Sequence, residues 1–126
     1  MIIRKTPEDL DKMRRAGRVV AETLQIMRET VRAGMTTKQL DEIAEAEIRK
    51  RDAVPSFLGY RGFTGTLCTS INHEIVHGIP GDKVVRDGDI IKIDCGAIVE
   101  GFHGDSAISL PVGDVDPNAL KLMEAT

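Results

Sequence analysis

The stretch Ile90-Ile91-Lys92-Ile93-Asp94-Cys95-Gly96-Ala97-Ile98-Val99-Glu100-Gly101-Phe102-His103-Gly104-Asp105 decides the fold. It consists of two apolar-rich runs separated by an acid–glycine pair, and such pairs form two-residue turns between antiparallel strands. With Glu100-Gly101 as the turn, Val99 faces Phe102, Ile98 faces His103 and Gly96 faces Asp105. Side chains alternate faces along a strand, so Asp94 shares a face with Gly96. Asp105, opposite Gly96, comes to that face as well. The two aspartates are then diagonal neighbours, about 7–8 Å apart between backbones and closer between side chains.

Two carboxylates in so apolar a ribbon need either water or a counter-charge. Burying bare like charges is costly, and a divalent cation relieves that cost. Carboxylate donors suit Mn²⁺, Co²⁺, Fe²⁺ or Zn²⁺. Spacing alone leaves a second reading open, in which this face is solvated and both acids are merely hydrated. His103 falls on the same face, either as a third ligand or, on the simpler reading, as a solvated or packed side chain. His77 stands at the end of a short apolar run before Gly78 and Pro80. A histidine there can project toward a site and exchange protons near neutral pH. A structural histidine anchoring the turn fits the chemistry equally well. His73 is expected to be exposed beside Glu74.

Upstream of the ribbon the pattern is helical. Thr6-Pro7-Glu8-Asp9 supplies a hydroxyl cap, a proline for the first helical position and acids for the positive dipole end. Leu10, Met13, Gly17, Val20, Leu24, Met27 and Val31 then recur at steps of three and four, one stripe on a long helix, with Gly34 placed to end it. Thr36 and Gln39 form a capping box for a second helix, which buries Leu40, Ile43, Ala44 and Ile48 and fades near Arg51. A link this short makes the two helices antiparallel neighbours. From Pro55 a glycine-punctuated loop carries Phe57, Tyr60 and Phe63, every aromatic residue except Phe102. Short strand-like runs follow at Leu67–Ile71, Ile75–Val76, Asp89–Cys95, Ala97–Val99 and Phe102–Leu110. Helices first and strands afterwards imply an α+β fold, two antiparallel helices packed on an antiparallel sheet.

The 126 residues suit a single domain, 1–126. A net charge of −3 argues against a nucleic-acid partner, although Arg4 to Arg18 is locally basic, which reads as a solvated helix face. Two cysteines, Cys68 and Cys95, make neither a disulfide framework nor a structural zinc site. No run approaches the ~18 apolar residues of a membrane span and no apolar signal region opens the chain, so a cytoplasmic protein without a membrane partner is expected. Pro117 to Thr126 reads as the start of a helix cut short.

Taken together, Ser70-Ile71-Asn72, His77-Gly78-Ile79-Pro80, Asp87-Gly88-Asp89-Ile90, Ile93-Asp94 and Gly101-Phe102-His103-Gly104-Asp105 resemble type I methionine aminopeptidases. Ile2-Ile3-Arg4-Lys5-Thr6 and Met13-Arg14-Arg15-Ala16-Gly17 are similar to the same family. The resemblance covers nearly the whole chain and implies the pita-bread fold, two related halves around a central site, with this chain as the N-terminal half. It implies removal of the initiator methionine from a peptide or nascent chain when the next residue is small. It also implies two divalent ions (Co, Mn, Fe or Zn) held by two Asp, one His and two Glu, which polarise the scissile carbonyl and activate water. Asp94 would chelate one ion and Asp105 would bridge both. His77 would contact the substrate and the developing tetrahedral intermediate. Tyr60, Phe63 and Cys68 would line the methionine pocket, with Phe57 standing where some relatives have Cys.

The remaining His and Glu ligands and the general-base Glu match no residue of this chain, since only Asp114, Asp116 and Glu124 follow Asp105. These 126 residues alone are therefore expected to show little or no peptidase activity. Three readings follow: a metallo-aminopeptidase fragment that needs a complementing half, a half-domain that rebuilds the site as a homodimer, or a module that binds peptide N-termini without cleaving them. The inner face left by a missing half would expose apolar surface and favour association.

Overall fold

The computed structural model describes residues 6–56, 67–71, 81 and 83–113, with Cys68 and Ser70 through their backbone alone. Helix α1 spans Pro7–Thr30 and α2 spans Thr37–Lys50. Both begin as the sequence predicts. The Thr6 hydroxyl accepts from Asp9 N and the Asp9 carboxylate accepts from Thr6 N, each at 3.1 Å. Thr36 and Gln39 exchange the equivalent bonds at 2.9 and 3.1 Å. These reciprocal bonds satisfy amides that the first helical turn leaves without partners. Helix α1 ends at Thr30, a turn before the expected glycine, because Val31 has already left helical backbone geometry (ψ 126°). Gly34 serves the link instead, with φ 96° and its amide donating to Val85 O at 2.8 Å.

The buried stripe of α1 is Ala16, Val19, Val20, Thr23, Leu24 and Met27, followed by Val31. Leu10 and Gly17, expected on that stripe, are exposed, Leu10 by 41%. For Leu10 the reason is where the ribbon stops. Its tip, at Glu100, pairs with Lys12 and Arg15, so the first turn of α1 runs past the end of the sheet.

Strands β1 (Val54–Pro55), β2 (Leu67–Ile71), β3 (Ile90–Val99) and β4 (Phe102–Pro111) form one antiparallel sheet. Strand β4 pairs along the whole of β3, so β1 and β2 share the opposite edge, end to end. Pro55 pairs with Ala97, Ser56 N donates to Gly96 O at 3.1 Å, and Leu67 pairs with Cys95. The chain thus leaves this edge and rejoins it at the next position. Two runs expected on either side of Gly96 are one continuous strand. Strand β1 went unforeseen because two residues, one a proline tolerated at an edge, carry no periodicity. The Ile75–Val76 run lies outside the described residues.

Glu100 and Gly101 both take positive φ, 48° and 86°, the signature of a type I′ turn whose twist matches a hairpin. Its register is the expected one, with Gly96 opposite Asp105. Ile91, Ile93, Cys95, Ala97 and Val99 face one way and are all buried in a core with Val20, Leu24, Met27, Leu40, Ala44 and Ile48. Each fully buried Leu, Ile or Met there stabilises the fold by about 1.5–3 kcal/mol. Among the described residues both helices pack against this single core, giving the expected α+β layering.

Gly104 marks the closest approach of ribbon and helix. A Cβ at this position would lie 2.7 Å from Ala16 C and O and 2.8 Å from Gly17 N, all backbone atoms that cannot step aside. Gly104→Ala is expected to lower the unfolding free energy by about 1–3 kcal/mol, read as a lower urea midpoint.

Arg51 ties the end of α2 back to α1. Its Nη1 donates to a Glu47 carboxylate oxygen at 2.6 Å and its Nε to Glu22 at 2.7 Å. The hydrogen bond from Arg51 holds the Glu47 carboxyl below its ordinary 4.5. A depressed acid stabilises the fold fully above that ordinary value and loses the contribution as pH falls through the folded one. Arg51→Gln is expected to cost less than about 1 kcal/mol at neutral pH, since the pair is partly solvated. The gap to wild type in a denaturation series should close well below pH 4.5.

Candidate metal centre

The face of the ribbon turned away from the buried one carries Ile90, Lys92, Asp94, Gly96 and Ile98 from β3 and His103, Asp105, Ala107 and Ser109 from β4. Asp94 pairs with Ala107, and Gly96 with Asp105. Two aspartates therefore occupy one diagonal of a four-residue patch, and two small residues occupy the other. Diagonal neighbours on a sheet stand about 7–8 Å apart, within reach of a cation held between two carboxylates. Gly96 and Ala107 put no long side chain beside that gap. Asp94 is half-buried and Asp105 exposed.

Cys95 reports on the same patch from the opposite face. Its thiol is buried, and burial, followed by the charges of Asp94, Asp105 and Asp41, pushes its pKa up to about 12. A neutral thiol below two carboxylates neither competes for a metal nor adds charge. It is the buried hydrophobe that the sequence predicts.

The ribbon is held in place at its tip. Glu100 accepts from Arg15 Nη2 at 2.9 Å and lies 3.7 Å from Lys12 Nζ, so α1 fixes the turn that sets the register of both aspartates. Lys12 also sits 6.0 Å from the centre of the Phe102 ring. Asp89, part of the Asp-Gly-Asp motif, shapes the turn that leads into β3. Its carboxylate accepts from Arg86 N at 2.8 Å, with Gly88 at φ 92°.

Two carboxylate donors on one face fit a hard or borderline divalent ion. Among the described residues, no group of three or more His, Cys, Asp and Glu side chains could hold a metal. His103 shares the aspartate face and is exposed, but it does not complete such a group. Cys68 is the register partner of Asp94 on β2, its side chain lying outside what is described. Tyr60, Phe63, His77, Phe57 and His73 lie outside the described residues. Sequence reasoning missed Ala107, whose role was legible once the turn was placed, by extending the ladder two residues past Asp105.

Residues 11–126 match the profile of metallopeptidase family M24. The chain belongs to this family. Along its whole length it is 53% identical to methionine aminopeptidase 1 of Bacillus subtilis, of which it covers 51%. The solved methionine aminopeptidase of Rickettsia prowazekii superposes with a TM-score of 0.94 at 40% identity, over all of this chain and 51% of that one. That of Thermotoga maritima gives 0.94 at 36% identity, with the same coverage. The chain thus spans about half the length of the relatives it matches, and its helices and sheet are half of their pita-bread fold. The family's metal dependence agrees with a carboxylate pair on one face of the ribbon. Among the described residues no helix is long and apolar enough to cross a membrane.

Because Cys95 is fully buried, native protein treated with iodoacetamide should keep it unmodified, and unfolding in urea should expose it. Peptide mapping by mass spectrometry reads both states. Rapid labelling of Cys95 in the native protein would contradict the packing described above.

Proposed function

We propose that this chain supplies the two-aspartate part of a dinuclear metal centre that removes the N-terminal methionine from polypeptides. The diagonal placement of Asp94 and Asp105, with Gly96 and Ala107 beside them, carries the reading. Asp94 would chelate one ion and Asp105 would bridge two. Co, Mn, Fe and Zn are the candidate metals, the class that carboxylate and imidazole donors suit. When bound, such ions polarise a scissile carbonyl and generate a nucleophile from water near neutral pH. The chain's own contribution is positional. The I′ turn and its ion pairs to α1 keep both carboxylates on one face, and α1 excludes water from the other. By resemblance, His77 contacts the substrate peptide, while Tyr60, Phe63 and Cys68 receive the methionine side chain.

Two of five protein ligands are matched here, so a polypeptide of these 126 residues should bind divalent ions weakly and release no methionine. The missing donors come either from residues that follow in a complete protein or from a second copy of the chain. Calorimetric titration with Mn²⁺ tests the centre: Asp94→Asn and Asp105→Asn should each weaken binding by about tenfold or more, with unchanged urea midpoints. Sedimentation of the titrated sample distinguishes a metal-bridged dimer from a monomer. Undiminished Mn²⁺ affinity in both variants would sink the assignment. Methionine release from a Met-Ala-Ser peptide by these 126 residues, abolished by Asp94→Asn, would show that the ligand set is complete without further residues.

A further inference from the structure

Lys92 stands in the apolar run Ile90-Ile91-Lys92-Ile93, between Ile91 and Ile93, both fully buried. Register fixes where it goes. Its neighbours turn to the core, so Lys92 turns outward, one same-face step before Asp94 and opposite Ser109 of β4. On β2 its register partner is Ser70. It is the one lysine or arginine among the described residues of that face, which also carries Asp94, Asp105 and the exposed His103. Lys92 is itself exposed and enters none of the ion pairs among the described residues. Nor does its charge guard a sheet edge, since β3 is paired on both sides. Same-face positions on a strand lie about 6.6 Å apart, so the ammonium can stand within about 8 Å of an ion held by Asp94. There it offsets one of the two carboxylate charges and repels any cation that they attract.

We propose that Lys92 tunes the candidate centre by charge: it weakens divalent-ion binding at Asp94 and Asp105 and serves as their counter-charge when no ion is bound. The proposal rests on the reading of both aspartates as ligands. Lys92 is not a ligand itself and need not touch either carboxylate, because it acts through the field at the site. For a divalent ion about 8 Å from one ammonium in water, removing that ammonium should tighten binding about three- to fivefold in dilute salt. Screening is nearly complete over that distance in 1 M salt, where the Debye length is about 3 Å, and the gain should vanish there. A lysine that only interrupts an aggregation-prone apolar run would act on solubility and leave ion affinity alone.

The test is an Mn²⁺ titration of the 126-residue chain, followed by line broadening of the β3 and β4 amide signals, which registers even weak binding. Wild type, Lys92→Gln and Lys92→Arg are compared in KCl at about 0.01 M and 1 M. Lys92→Gln should bind Mn²⁺ about three- to fivefold more tightly than wild type in dilute salt and equally in concentrated salt. Lys92→Arg keeps the charge on a different group and should match wild type in both. Urea midpoints check that the variants fold alike, and Lys92→Thr, with its stronger strand preference, replaces a glutamine variant that folds poorly. Unchanged affinity in dilute salt, a gain that persists in concentrated salt, or an arginine variant that behaves like the glutamine one would each overturn the proposal. Asp94→Asn and Asp105→Asn, run alongside, keep the two readings apart. If both weaken binding while Lys92→Gln changes nothing, the centre stands and the tuning falls. If neither weakens it, or if no form binds Mn²⁺, the centre itself falls and the role of Lys92 with it.

Discussion

The register of the β3–β4 ribbon is the constraint from which the rest follows. Side chains alternate strictly along a strand, so a slip of one residue would turn every core residue of one strand outward and send its aspartate to the helix side. The type I′ turn at Glu100-Gly101 prevents the slip locally. Arg15 and Lys12 hold the Glu100 carboxylate from α1, which ties the turn to the largest helix among the described residues. Gly104 lets that helix come close enough for the tie to form. Metal-side chemistry and core packing are thus two outcomes of one choice of turn.

Alternation also keeps incompatible environments one residue apart. Cys95 lies in the core with its proton firmly held, while Asp94, its neighbour in sequence, faces the candidate centre. A layer one strand thick separates apolar packing from charge. The electrostatic cost of gathering two carboxylates falls on the outer face, where water or a cation can meet it.

Much of this was legible because it depends on local chemistry. Thr6 and Thr36 cap their helices as their neighbours predict, and Glu100-Gly101 names its own turn. From the turn, the pairing of Gly96 with Asp105 follows by counting. What escaped is tertiary. Periodicity placed Leu10 on the buried stripe, but whether a helical residue is covered depends on how far the sheet reaches along the helix. Pro55 seemed to open a loop, since two residues cannot show alternation and a strand that short exists only through its partner. Hydrogen bonds between Thr37 and Gly81 and between Asp41 and Leu67 join residues 44 and 26 positions apart, and no sequence window spans such distances.

The divided edge formed by β1 and β2 has an evolutionary corollary. The ten residues 57–66 interrupt what would otherwise be one strand, leaving after Ser56 and returning at Leu67, at the level of Gly96. Both stems of this insertion are clamped to β3, within about two residues' rise of each other. Enlarging an insertion whose ends are already together costs only about 0.6 kcal/mol per doubling of its length. The fold can thus accept a longer sequence between Ser56 and Leu67 while the pairing of Gly96 with Asp105 stays as it is, so chain length can vary at this edge without disturbing the ribbon.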